Sequence, residues 1–423
     1  ADAAALSINA GLDADLSGIG YGKALRDAIK AGKVSIKTLD TAVERVLRIK
    51  FNMGLFENPY VDVEQAKNNI RTKENIELAR KVARESIVLL KNQGNVLPLS
   101  KNLKSIAVIG PNADNIYNQI GDYTAPQTEE NIVTVLDGIK NKLPSDTKIN
   151  YVKGCGIRDT VSSNIDEAVS VAKKSDAVVI VLGGSSARDF KTEYIETGAA
   201  KISAAEKGVS DMESGEGFDR ATLDLLGKQP ELLKALKKTG KPLIVVYIQG
   251  RPLNMNWASE NADALLTAWY PGQEGGNAVA DVLFGDYNPA GRLPISVPRY
   301  EGQLPVYYNK KNPRGHDYVE MSADPLYPFG YGLSYTQFDY TDIEIEQKAK
   351  DSFEVSFSLK NTGAKSGDEV VQLYLKDELA SVVQPVKQLK AFKRIHLLPN
   401  QQQRLSFLLT AKDLSIINND FTS

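Results

Sequence analysis

The spacing of hydrophobic positions changes character twice along this 423-residue chain, near residue 104 and again near Phe338. Before the first change the pattern is helical. One helix is expected over 21–31 and another over 35–53, where Ile36, Leu39, Val43, Val46, Leu47 and Phe51 recur at helical spacing. Ser35 is placed to cap the second helix and Gly54 to end it. Residues 54–72 read as a polar linker and 74–91 as one long helix. No strand falls between the first helices for them to pack on, so they read as outer helices of a larger unit.

From residue 104 short apolar runs alternate with amphipathic helices. The runs cover 106–109, 149–152, 177–182, 243–248, 264–268 and 293–297, and they are rich in β-branched residues. Such runs predict a mainly parallel α/β sheet covered on both faces. From Phe338 the period drops to two. Strands are expected over 342–346, 353–360, 369–375, 387–395 and 404–409, split by turns at Asn361-Thr362-Gly363 and Pro399-Asn400, which predicts a β-sandwich.

Composition narrows the classes of function only a little. A hydrophobic fraction of 42% and a charged fraction of 25% suit a well-cored globular protein. A formal net charge of −2 supplies no electrostatic reason to bind nucleic acid, and no apolar run is long enough to span a bilayer. The single cysteine, Cys155, excludes an intrachain disulfide. The opening at Ala1 and the close after a strand-like run lead us to expect a segment of a longer protein.

The candidate chemistry lies in 210–220, Ser-Asp-Met-Glu-Ser-Gly-Glu-Gly-Phe-Asp-Arg. Asp211, Glu213, Glu216, Asp219 and Arg220 crowd into a stretch without helical or strand period, and a helix pattern begins at Thr222-Leu223. Open α/β sheets place ligands at the loops after the carboxyl ends of their strands, and this stretch closes such a loop. From Gly183 to Phe218 the connection far exceeds the usual length of about 4–6 residues. Glu216 lies between Gly215 and Gly217, on backbone that can swing its carboxyl toward a partner. Against this, acidic loops are ordinarily solvated surface. Neither Ile109-Gly110-Pro111-Asn112 nor Gly183-Gly184-Ser185-Ser186 makes a dinucleotide loop. The two histidines, His316 and His396, lie far apart in sequence and suggest neither a zinc cluster nor a Ser/His/Asp set.

Several motifs stand out along the chain: Ala10-Gly11-Leu12-Asp13, AVERVLRIKFNMGLFENPY (42–60), ARESIVLLKN (83–92), Leu97-Pro98, IAVIGPNAD (106–114) and SGEGFDR (214–220). WYPGQEGGNAVADVLFGDYNPAGRLPISVP (269–298), PLYPFGYGLSYTQF (325–338) and GDEVVQLYL (367–375) continue the set. Together they resemble glycoside hydrolase family 3, the β-glucosidases and β-xylosidases. The resemblance implies the helical tail of a (β/α)8 barrel at 1–53, a linker and long helix at 54–103, and an (α/β)6 sandwich domain at 104–300. A connector at 301–337 and a truncated fibronectin type III-like domain at 338–423 would follow.

It also implies two catalytic carboxyls. The nucleophilic Asp of the family precedes the Ala-Gly-x-Asp segment, so it is expected upstream of this chain, and neither Asp13 nor Asp15 takes its place. The Ser-Gly-Glu-Gly pattern gives Glu216 the acid/base role, with Glu213 as runner-up ahead of Asp211 and Asp219. Retaining hydrolysis needs the two carboxyls about 5–5.5 Å apart, one ionised and one protonated. The Gly121-Asp122-Tyr123-Thr124 loop resembles one whose aromatic lines a sugar subsite. This makes Tyr123 and Asp122 candidate substrate contacts, although an ordinary partly buried tyrosine fits as well. Arg220 either orients Glu216, reaches a sugar hydroxyl, or forms a surface pair with Asp219 or Asp224.

The expected partners are a β-glycoside or oligosaccharide and the upstream barrel, with room for a homodimer and with no metal or organic cofactor. The family suggests a periplasmic or secreted location. The chain alone is expected to be inactive. The alternatives are a non-catalytic carbohydrate-binding or scaffolding fragment and, behind it, a nucleotide-dependent α/β enzyme.

Overall fold

A computed structural model describes residues 1–16, 18–187, 211–217, 219–311 and 318–416. The chain divides into two compact units, Ala1–Asn75 and Ile76–Ser423.

The first unit holds α1 (Asp2–Asn9), α2 (Lys23–Lys30), α3 (Ile36–Asn52) and α4 (Val63–Asn69). Ala4, Ala5 and Ile8 of α1 pack with Leu25 and Ala28 of α2 and with Val34 and Ala42. The Ser35 hydroxyl accepts the Thr38 amide at 3.0 Å and starts α3, and Gly54, at φ +65°, follows its end. In α3 the apolar period buries only Ala42, while Val43, Leu47 and Phe51 stay exposed. The stretch read as a plain linker contains α4. Asp62 accepts the amides of Glu64 and Gln65 at 2.9 and 3.0 Å and so caps it.

The chain enters the second unit through α5 (Lys73–Ser86) and then β1 (Val88–Asn92). The single helix expected over 74–91 therefore breaks after Ser86. Ile87, Val88, Leu89 and Leu90 are all buried. A run apolar on both sides suits a covered strand as well as it continues a helix, and here β1 closes one edge of the sheet.

The rest of the sheet comes from β2 (Ser105–Ile109), β3 (Lys148–Val152), β4 (Ala177–Gly183), β5 (Leu243–Ile248) and β6 (Ala264–Trp269). Its order is β1-β6-β5-β4-β2-β3. Only β1, against β6, runs antiparallel. The helices between the strands are α6 (Val135–Lys142), α7 (Ile165–Lys173), α8 (Gln229–Lys237), α9 (Asn256–Asn261) and α10 (Gly275–Leu283). Alternate strand residues divide the core. Val108, Val179 and Val246 face α6 and α10, while Ala107, Ile180 and Val245 face α7, α8 and α9.

Two further expectations change. The 293–297 run is not a ladder strand: Pro294 cannot donate to a ladder, and Leu293 and Val297 instead bond irregularly to Tyr331, Gly330, Tyr327 and Leu326. The helix expected from Thr222 begins only at Gln229, with Pro230 in its first turn. Ahead of it, one side-chain and one backbone bond hold the chain in a non-helical path. Thr222 Oγ1 accepts the Asp224 amide at 3.1 Å, and the Leu223 carbonyl accepts the Asn254 amide at 2.7 Å.

Two antiparallel sheets complete the unit, one ordered β11-β8-β7 and the other β10-β9. Their strands are β7 (Phe338–Ala349), β8 (Ser352–Asn361), β9 (Gly367–Leu375), β10 (Gln388–Leu397) and β11 (Gln402–Leu409). Phe357, Leu359, Val371, Ile395, Leu397 and Leu405 form their shared core. Ion pairs tie this sandwich to the α/β domain. Arg292 meets Glu369 at 2.6 Å and Arg394 meets Glu85 at 2.8 Å, while Asp368, within the sandwich, holds Arg394 at 2.6 Å.

Candidate active site

The loops that carry the candidate residues leave the carboxyl ends of β2 and β4. These adjacent strands flank the point where the strand order reverses, which is where open α/β sheets make a crevice. Asn112, just past β2, is buried. Its amide donates to the Val181 carbonyl at 3.3 Å, its Nδ2 donates to the Gly184 carbonyl at 3.3 Å, and its Oδ1 accepts Asn118 Nδ2 at 2.8 Å. These bonds pin the β2 loop onto the end of β4.

Further along, the Tyr270 ring lies against both Gly121 and Gly250. A Cβ on either glycine would come within 2.9 or 2.6 Å of that ring. The chain then turns sharply at Tyr123, which takes φ +59° while its amide donates to Asp122 Oδ1 at 2.7 Å. Asp122 thus supports the turn locally. The Tyr123 ring projects outward, 74% exposed, and its hydroxyl donates to Glu216 Oε2 at 2.8 Å. Two of the sequence candidates, 93 residues apart, therefore meet.

On the β4 side, the Glu213 amide donates to the Ser185 carbonyl at 2.8 Å. Asp211 accepts the Ile157 amide at 2.9 Å and faces Lys153 at 3.7 Å, while Arg158 Nη1 donates to the Met212 carbonyl at 2.9 Å. Asp219 pairs with Arg251 at 2.7 Å. Partial burial pushes the Asp219 carboxyl up, but the Arg220 amide and the Arg251 guanidinium hold it below its ordinary value. Glu213 is buried, and burial pushes its carboxyl up against the opposing pull of Arg220, which it meets at 2.7 Å. Glu216 is exposed at the turn between them.

Arg220 points inward to Glu213 and to the Asp224 carbonyl, and its pairing with Glu213 is not among the sequence alternatives. Tyr270 has no signal of its own within the 269–298 motif. Its contribution depends on glycines at 121 and 250, distant in sequence, and no local pattern signals it. Residues 188–210, Phe218 and His316 lie outside the described residues. His396 is in the sandwich, its Nδ1 2.6 Å from Asp368 Oδ1. Burial pushes the Cys155 thiol up to about 12, leaving it protonated at neutral pH. Among the described residues no cluster of His, Cys, Asp and Glu could hold a metal ion, and no helix is long and apolar enough to cross a membrane.

The described residues thus form a doubly covered, mostly parallel sheet with an acid-bearing loop at its switch point, followed by a β-sandwich. Residues 87–335 match the glycosyl hydrolase family 3 C-terminal domain, and 369–422 match the fibronectin type III-like domain. The chain belongs to glycosyl hydrolase family 3.

Among its relatives, a β-xylosidase of Formosa agariphila is 40% identical, over 99% of this chain and 57% of that protein. A periplasmic β-glucosidase of Salmonella typhimurium is 38% identical, over 99% of this chain and 56% of its own length. In three dimensions a β-glucosidase of Erythrobacter marinus superimposes with a TM-score of 0.81 at 35% identity, covering 100% of this chain and 57% of that one. A mutant β-glucosidase of Listeria innocua in complex with laminaribiose gives 0.82 at 32% identity, over 99% and 56%. The chain thus spans little more than half the length of these relatives.

Proposed function

We propose that the chain is the carboxyl-terminal part of a retaining, exo-acting β-glycosidase that removes terminal β-linked glucose or xylose, and that Glu216 is its acid/base. The names of the relatives support the sugar class. The observation that carries the role of Glu216 is its exposed position on a glycine-flanked turn at the sheet's switch point, with the Tyr123 hydroxyl 2.8 Å from its carboxyl. On this reading residues 1–53 are the tail of a (β/α)8 barrel, and the exposed Val43, Leu47 and Phe51 are the face such a tail would turn toward the rest of that barrel.

The chemistry then runs in two steps. First, the Glu216 carboxyl gives its proton to the glycosidic oxygen as the bond to C1 breaks, and an Asp carboxylate from the barrel bonds to C1. Second, the Glu216 carboxylate takes a proton from water as the water oxygen attacks C1 and releases the Asp. Tyr123 restrains rotation of the Glu216 carboxyl through Oε2 and offers an apolar ring face to the C–H surface of the sugar. Asp122 holds the Tyr123 turn. No metal or organic cofactor enters these steps.

Glu216→Gln in the full-length protein tests the assignment. General acid catalysis contributes roughly 10²–10⁴-fold. Turnover of a disaccharide should fall by that order, while an aryl glycoside with a very good leaving group should keep its first step within about tenfold of wild type. Equal losses on both substrates would remove Glu216 from the role. A full-length protein inert toward all β-glycosides, yet binding them, would favour the non-catalytic reading.

A further inference from the structure

Glu213 and Arg220 stand seven residues apart on either side of Glu216, and among the described residues between them there is no helix or strand to bring them together. Their side chains nevertheless meet under the turn. Arg220 Nη1 lies 2.7 Å from Glu213 Oε2, with the two side chains only 4% and 3% exposed. Glu213 Oε1 packs on Gly184 at the end of β4, where any Cβ would collide with it. The second guanidinium nitrogen of Arg220 donates to the Asp224 carbonyl, and Asn254 Nδ2 holds the Asp224 side chain at 2.8 Å.

Glu213 is thus held inside the protein, one carboxylate oxygen paired with Arg220 and the other close against Gly184, which argues against its acting as the proton donor. Ion pairs this deep lose much of their attraction to desolvation, so they are weak stabilisers and are better understood as devices that fix one arrangement. Here the arrangement fixed is the spacing between the two ends of the turn that carries Glu216.

We propose that Glu213 and Arg220 form a buried clasp that closes the base of this turn and holds Glu216 in register for proton transfer. Both are positioning residues that act through Glu216. The inference rests on the acid/base reading of Glu216 above. An unclasped turn would leave the carboxyl mobile by an ångström or more. Misplacement of that size costs on the order of 100-fold in rate when the group must meet a reacting atom.

The test is a double-mutant cycle in the full-length protein with Glu213→Gln, Glu216→Gln and both together, assayed on a disaccharide and on an activated aryl glycoside. Glu213→Gln should lower kcat on the disaccharide by about 10- to 100-fold, with KM within about twofold and the aryl substrate nearly spared. In the Glu216→Gln background the same change should cost less than about threefold, because no acid remains to be positioned. Multiplying losses, or equal losses on the two substrates, would overturn the clasp. If Glu216→Gln alone shows no dependence on the leaving group, it is the acid/base reading that fails, whatever Glu213→Gln does. Should Glu213→Gln not fold, Arg220→Lys, which keeps the charge but loses the fork, carries the same comparison with the same outcomes.

Discussion

Asp281 on α10 offers the sharpest quantitative check of how the α/β domain is held together. Its carboxylate is 3% exposed and receives Arg80 Nε at 2.7 Å, Arg80 Nη2 at 2.6 Å and Lys142 Nζ at 2.6 Å, which ties α5 and α6 to α10. Asp281→Asn keeps the shape and removes the charge. Breaking a fully buried pair costs about 3–5 kcal/mol. Arg80 is a third exposed and Lys142 retains Asp286 at 2.6 Å, so solvent and the second carboxylate recover part of that loss. A destabilisation of about 2–3 kcal/mol remains.

Its pH dependence has a definite sign. Burial pushes the Asp281 carboxyl up, but the bonds from Arg80 and Lys142 outweigh burial and hold it below its ordinary value of 3.8. A depressed folded-state value means the stabilisation is complete above the unfolded value and disappears as pH falls through the folded one. Urea unfolding followed by circular dichroism, on wild type and Asp281→Asn, should therefore show the full gap at pH 6 and a gap that closes below about pH 4. A gap under about 0.5 kcal/mol at pH 6, or one unchanged by acid, would refute the reasoning.

Two further outcomes are expected. Tyr123→Phe keeps the ring and deletes the hydroxyl that reaches Glu216. Disaccharide turnover should drop about 3- to 10-fold, the worth of one solvent-exposed charge-assisted bond, with KM little changed; an unchanged kcat would remove Tyr123 from the site. Gly276→Ala would drive a methyl into the Thr134 carbonyl where α6 crosses α10, and should lower stability by about 1–3 kcal/mol in the same urea assay, whereas a neutral effect would mean that the crossing can open.

Five of the six sheet strands were legible because continuous β-branched runs, each bounded by helical patterns, have few other uses. Val88–Asn92 was not. It follows a helix without a break in apolar character, and only its antiparallel pairing with 264–267 marks it as a strand. The 293–297 run misled in the opposite direction, since its backbone bonds to 326–331 are irregular and form no ladder. At the site, glycine flanks and the Gly-Asp-Tyr turn singled out Glu216 and Tyr123, but their contact depends on the neighbouring placement of β2 and β4. The Glu213–Arg220 pair was illegible for a related reason. A loop of irregular backbone has no period from which two side chains can be placed together, and on composition a surface pair of Arg220 with Asp219 or Asp224 is the readier expectation.

The assignment of Glu216 is tested most directly by adding azide to the Glu216→Ala full-length protein with an activated aryl β-glycoside as substrate. Without a general base the second step stalls, and a small anion that needs no proton removed can replace water. The account predicts that azide raises turnover by at least about tenfold and that the product is the β-glycosyl azide, with configuration retained. No acceleration, or an α-glycosyl azide, would contradict it.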